Sequence, residues 1–317
     1  EISINSNFKN TNEFYNQLKI SNEIDNNKTY SKGSLLNNSE TFKIKFRPKG
    51  DRKIHYKKDK PSFAVEILNG KSFLGMQKFS LQSPEIRNYL QELLWLELLN
   101  KSNIISPTYY FTDLVFNGES LGIYNYEEKP TTFMLERLGL KNSSILKFDE
   151  TYGISLESNP EIKVINYSDV PLLNQNKATS ILRNFIDGKA TVKETFNIEK
   201  LVDFFVISNL MKTYHGLYVK SVRFYYNPFT NLLEPIPFDG HSGSEAFILV
   251  NELSEYPNLL NNEYLPSWLS LFFNEKNKDF ISLYFEKLKY FSSEEYLNQI
   301  FNDEELMSKM ENAKKII

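Results

Sequence analysis

Asp239 stands where a strand-like run, Leu232 to Phe238, gives way to Gly240-His241-Ser242-Gly243, and this placement gives it the clearest chemical use in the chain. A carboxylate at a strand end, followed by glycines that let an anion approach, suits a hard dication such as Mg²⁺ together with phosphate oxygens. An Asp-Gly pair can equally do no more than end a strand. A second group of residues, from Arg47-Pro48-Lys49-Gly50-Asp51-Arg52-Lys53 to Lys57-Lys58-Asp59-Lys60-Pro61, is dense in cations. Such a run has chemical potential, and its plain reading is a solvated loop. Between Tyr214 and Ser221, His215 is the one side chain that exchanges a proton near neutral pH. All three histidines, His55, His215 and His241, fall within these segments, which leaves a zinc-dependent hydrolase as a remote alternative, although their spacing matches no short zinc motif.

The elements that must hold these residues are legible as patterns. Phe42-Lys43-Ile44-Lys45-Phe46 alternates as a strand, Phe63 to Ile67 reads as its partner, and the basic run connects the two. Ser83-Pro84-Glu85 reads as the start of a helix running from Ile86 to Leu99, with Arg87, Gln91 and Glu92 turned away from its apolar face. Tyr109 to Phe116 and Leu121 to Tyr126 form a hairpin across Asn117-Gly118, followed by a helix near Thr131 to Leu138 and an edge strand from Ser143 to Glu150. Helices are expected over Leu173 to Asp187, Ile198 to Thr213 and from Pro266 onward. A further hairpin, Val222 to Asn227 and Leu232 to Phe238, turns at Pro228 to Asn231 and carries Asp239. The first forty residues, rich in Asn, Ser and Lys, are expected to be a peripheral arm with one short helix near Asn12 to Leu18.

With 317 residues, 41% of them hydrophobic, the chain can bury a sizeable core, and 19 Tyr and 25 Phe favour sheet and mixed packing over a helical bundle. A net charge of −3 gives no global field for nucleic acid or anionic membrane. The absence of cysteine excludes disulfides, thiolate zinc sites and a cysteine nucleophile. No apolar run reaches the length of about 18 to 20 residues that a membrane helix needs.

Helix, loop, hairpin and Asp-Gly follow one another here as they do around the catalytic loop and metal-binding Asp of protein kinases. In order and spacing, several segments resemble the CotH (spore-coat protein H) kinase family over about residues 42 to 243. They are Lys49-Gly50-Asp51, His55, Lys60-Pro61-Ser62-Phe63, Lys78 to Gln82 with Arg87-Asn88-Tyr89, Asn117-Gly118, Leu121 to Tyr124 with Glu127-Glu128, Arg223 to Tyr226, and Pro235 to Gly240.

The resemblance implies an α+β, atypical kinase-like, two-lobed fold. Residues 41–317 would form the domain, with a strand-containing N-lobe over about 41–150 and a mainly helical C-lobe over about 151–317. ATP and Mg²⁺ or Mn²⁺ would bind in a cleft between the lobes, and the γ-phosphoryl would pass to a protein or glycan hydroxyl. Lys60 is the first expectation for a phosphate-contacting lysine, with Lys49 and Arg47 next, and Glu127 or Glu128 would pair such a lysine. Asp239 would hold the metal, Ser221 occupies the place of the metal-binding Asn, and His215 stands where a base is needed. The expected Asp and Asn are both missing from Tyr214 to Ser221, which makes a pseudokinase or binding scaffold the alternative reading. Secretion or a cell-surface location is expected from the resemblance and from a first residue, Glu1, that is not Met.

Overall fold

The computed structural model describes residues 1–20, 28–38, 40–50, 53–149, 161–241 and 267–317. These residues make an α+β protein that divides into two compact units. One comprises residues 1–90, 107–137 and 311–317, the other residues 91–106 and 138–310.

The first unit is a closed barrel with strand order β1-β2-β3-β4-β5-β7-β6. It starts with β1 (Ile2–Asn5), α1 (Phe8–Ile20), β2 (Ser31–Asn37) and β3 (Glu40–Pro48), and continues with β4 (Phe63–Ile67) and β5 (Lys78–Gln82). Alternation in β3 puts Phe42, Ile44 and Phe46 inside and leaves Lys43, Lys45 and Arg47 on the outer face. β3 and β4 pair antiparallel, with Phe46 opposite Val65, as the sequence pattern predicts.

The arm expected over the first forty residues is part of the barrel. β1 pairs antiparallel with β2 and parallel with β6 (Tyr109–Phe116), which closes the barrel. α1 inserts Phe14, stacked on Phe63 with ring centroids 4.7 Å apart, and Leu18 one turn later into the barrel core. A few inward apolar residues suffice because the remaining positions in these strands face water, and this makes the composition look like that of a solvated tail.

The expected Ser83 helix is also corrected. Pro84–Arg87 is a 3-10 turn, Asn88 and Tyr89 take φ of 50° and 55°, and only then does α2 (Leu90–Lys101) begin. The left-handed pair interrupts the helical path, so Arg87 and Glu92, expected on a solvent face, are both buried. Residues 91–106 belong to the second unit, so this helix lies outside the strand-rich portion in which it was expected. β6 and β7 (Glu119–Glu128) form the predicted hairpin, with Asn117 and Gly118 at φ of 50° and 86°, and α3 (Thr132–Arg137) ends the segment.

The second unit holds a four-stranded sheet and most of the helices. The sheet order is β11-β10-β8-β9, with β8 (Ile145–Phe148), β9 (Ile162–Val164), β10 (Arg223–Asn227) and β11 (Leu232–Ile236). β8 is therefore not the expected edge strand: it lies between β10 and β9, and Ile145, Leu146 and Phe148 are all fully buried. Glu150, the last residue of that expected strand, lies outside the described residues. The helices include α4 (Leu172–Ile186), α5 (Val192–Thr195), α6 (Ile198–Leu210), α7 (Ser267–Ser270), α8 (Lys278–Phe291) and α9 (Glu294–Phe301), while α10 (Glu304–Ile316) is divided, its residues from Glu311 on belonging to the first unit. Their core is aromatic, with Trp268 and Phe272 centroids 4.8 Å apart, Phe205 and Phe272 4.9 Å apart, and Phe185 and Phe196 5.0 Å apart. No described helix is long and apolar enough to cross a membrane.

Candidate functional site

Helix α2 gives the site in the second unit its floor. Glu92 and Trp95 are three residues apart, hence neighbours on one helical face, and both are buried. The Trp95 indole donates from Nε1 to Ser208 Oγ of α6 at 3.0 Å, which fixes the ring in place. Two glycines rest on that ring. A Cβ on Gly240 would lie 2.4 Å from Trp95 Cζ3, and one on Gly216 would lie 2.8 Å from Cη2, so each position excludes any side chain. Gly216 belongs to the 3-10 turn Tyr214–Leu217, and Gly240 follows Asp239. One tryptophan thus seats both the His215 loop and the Asp239 turn.

Asp239 sits in the left-handed region at φ 58°, a conformation Asp tolerates better than most residues. Three polar groups meet at His215 Nδ1. Asp239 O lies at 2.7 Å, Ser221 Oγ at 3.0 Å and Asp239 Oδ2 at 3.5 Å. A carbonyl oxygen only accepts, so Nδ1 carries the hydrogen and donates to Asp239 O, and a neutral imidazole then has its lone pair at Nε2. Arg223 braces the same region, donating from Nη1 to Lys220 O at 2.8 Å and to Val222 O at 3.0 Å, with its guanidinium over the Phe238 ring. Burial pushes the Tyr214 phenol up to about 12 and raises Tyr218 as well. Both stay protonated near neutral pH.

A separate polar cluster occupies the first unit. Glu127 Oε2, buried, accepts from Gln82 Nε2 at 2.8 Å, Arg87 Nη2 at 3.1 Å and Lys49 Nζ at 3.2 Å, and Lys49 also donates to Gln82 Oε1 at 2.8 Å. Gln82 and Glu127 lie on the outward faces of adjacent strands, with Ser80 opposite Glu127 in the pairing. Of the three cations expected at phosphate, the one that meets a buried glutamate is therefore Lys49. Lys60, the first expectation, stands over the Tyr124 ring at 5.4 Å. Arg47 donates to Pro48 O and lies over Tyr30. Glu128 gives its carboxylate to Arg137 Nη2 at 2.5 Å and Thr108 N at 2.9 Å, so Glu127 is the glutamate on the lysine. Successive strand residues face opposite sides, which separates these neighbours.

The histidines do not support a zinc centre. His55 Nδ1 lies 3.0 Å from Ser62 Oγ within the first unit, and among the described residues no three His, Cys, Asp or Glu side chains gather to hold a metal. A single partly exposed carboxylate, Asp239, fits a different kind of metal site, because Mg²⁺ is commonly held by one or two carboxylates together with substrate phosphates and water. Ser221 is fully buried against the imidazole. Ser242 and Gly243 lie outside the described residues.

Asp239 and His215, both singled out in the sequence, lie together here, whereas Glu92, Trp95 and Gln82 join their respective clusters through contacts distant in sequence. The local signal is an acid and an aromatic three apart in a helix rich in leucine. The family described as CotH kinase protein matches residues 46–317, nearly the whole chain, and the protein belongs to the CotH kinase family. No curated protein sequence matches it.

Proposed function

We propose that this protein is a CotH-type atypical kinase that moves the γ-phosphoryl of ATP to a hydroxyl of a protein or glycan. In this reading the barrel unit is the counterpart of a kinase's strand-rich lobe and the second unit that of its helical lobe. The observation that carries the reading is the convergence of the Asp239 carboxylate and Ser221 hydroxyl on His215 Nδ1 beside a glycine turn.

Asp239 is the residue that would hold Mg²⁺ or Mn²⁺, and the bound ion would neutralise phosphate charge. Ser221, buried against the ring, orients His215 in place of the ligand role its position in the loop had implied. His215 then takes the acceptor's hydroxyl proton at Nε2. Lys49, oriented by Glu127, supplies the cation for nucleotide phosphate, and Lys60 and Arg47 are secondary contacts. The pairing of a lysine with a buried glutamate is the arrangement protein kinases use for this purpose. An exported or cell-surface location belongs to the same proposal and would be checked by cell fractionation.

The missing Asp and Asn between Tyr214 and Ser221 favour a second reading, a pseudokinase that binds nucleotide and serves as a scaffold. Incubation with γ-labelled ATP and Mn²⁺ separates the two. The kinase reading predicts label on protein or glycan that falls at least tenfold in His215→Gln. Nucleotide binding without any transfer establishes the scaffold.

A further inference from the structure

Glu92 is a buried carboxylate on α2 whose two oxygens both receive backbone N–H groups of the turn that follows Asp239. Gly240 N donates to Oε1 at 3.0 Å and His241 N to Oε2 at 3.1 Å. Charge-assisted bonds of this kind are roughly twice as strong as neutral ones. Burying a carboxylate nonetheless costs several kcal/mol, so a neutral residue of similar shape would serve packing alone at least as well. The two bonds act where backbone geometry needs support, because Asp239 is held at φ 58° and the following peptide must stay in register for the carboxylate to keep its place. Trp95, one turn along the same helix, blocks the turn from collapsing inward through its contact with Gly240.

We infer that Glu92 is a positioning residue for the metal-holding Asp239, setting the affinity for the dication by clamping the Gly240 and His241 amides. The inference rests on the assignment of Asp239 as the metal ligand. Glu92 does not touch the ion. Its carboxylate fixes the turn in the metal-free protein, so the Asp239 carboxylate is already placed when the ion arrives. Supporting groups of this kind typically contribute about 10 to 100-fold in metal affinity.

The test compares wild type, Glu92→Gln, Glu92→Asp and Asp239→Ala. Glu92→Gln keeps the shape but turns an NH₂ group toward one of the two amides. Glu92→Asp keeps the charge and withdraws it by about one methylene. Mn²⁺ affinity, with and without ATP, is read by electron paramagnetic resonance, and amide exchange at Gly240 and His241 is measured without metal. The expected result is at least tenfold weaker Mn²⁺ binding in both Glu92 variants, with faster exchange confined to the turn and an unchanged melting temperature. Loss of binding in Asp239→Ala with wild-type affinity in both Glu92 variants overturns this inference alone. A wild-type protein that binds no Mn²⁺, or an Asp239→Ala variant that binds it as well as wild type, overturns the Asp239 assignment and the inference with it.

Discussion

Glu127 is the residue on which single substitutions separate stability from function most cleanly. It takes three donors on one buried oxygen, two of them cations. Replacing Lys49 by Met leaves Arg87 and Gln82 on that oxygen, so the melting temperature should change little while nucleotide affinity is lost. Glu127→Ala leaves the buried Arg87 and the half-buried Lys49 without this carboxylate and should cost about 3–5 kcal/mol in denaturant unfolding. Equal losses in the two variants would show that the lysine is a structural partner only. Gly240→Ala should cost about 1–3 kcal/mol, because its Cβ would intrude on a tryptophan ring pinned by Ser208. An unfolding midpoint at the wild-type value would show that the turn can move off the ring. At this scale the sequence brings forward the candidate residues but not the groups packed around them. Asp239 and His215 stand out by type and local context. Glu92, in contrast, reads as one more solvent-facing acid until the helix is placed under the turn.

Elements were legible where periodicity is local. β4 matches its expected span, the Asn117-Gly118 hairpin forms, and α4 and α6 fall within a few residues of their expected limits. The departures have specific physical causes. Asn88 and Tyr89 adopt left-handed φ and interrupt a helix whose Ser-Pro-Glu start looked continuous. β8 is buried on both faces, a state its short apolar run shares with an edge strand that has a single partner. β1 closes the barrel by pairing with β6, Ile2 opposite Leu114, a partner that no local window contains. Phe14 tests this assignment: it is fully buried and stacked on Phe63, so Phe14→Ala should lower stability by about 3–5 kcal/mol. A loss below about 1 kcal/mol would return α1 to the status of a surface arm.

For the whole molecule, burial of tyrosines in both units makes alkaline pH the informative perturbation. Burial holds Tyr126 in the barrel at about 12, and Tyr225 and Tyr296 in the second unit at about 12 as well, against an ordinary value of 10.0. Each folded pKa lies above the unfolded one, so the associated stability is complete below pH 10 and is lost as pH rises toward 12. The melting temperature should fall steeply over that interval while tyrosinate absorbance lags behind that of free tyrosine. A flat melting curve with all phenols titrating near 10 would contradict the packing. The central claim, that the Asp239 turn holds a divalent ion for nucleotide, is tested most directly by calorimetric titration of ATP with and without Mn²⁺ into wild type and Asp239→Ala. Metal-dependent binding in wild type that disappears in the variant is the predicted result; binding of equal strength in both proteins would contradict it.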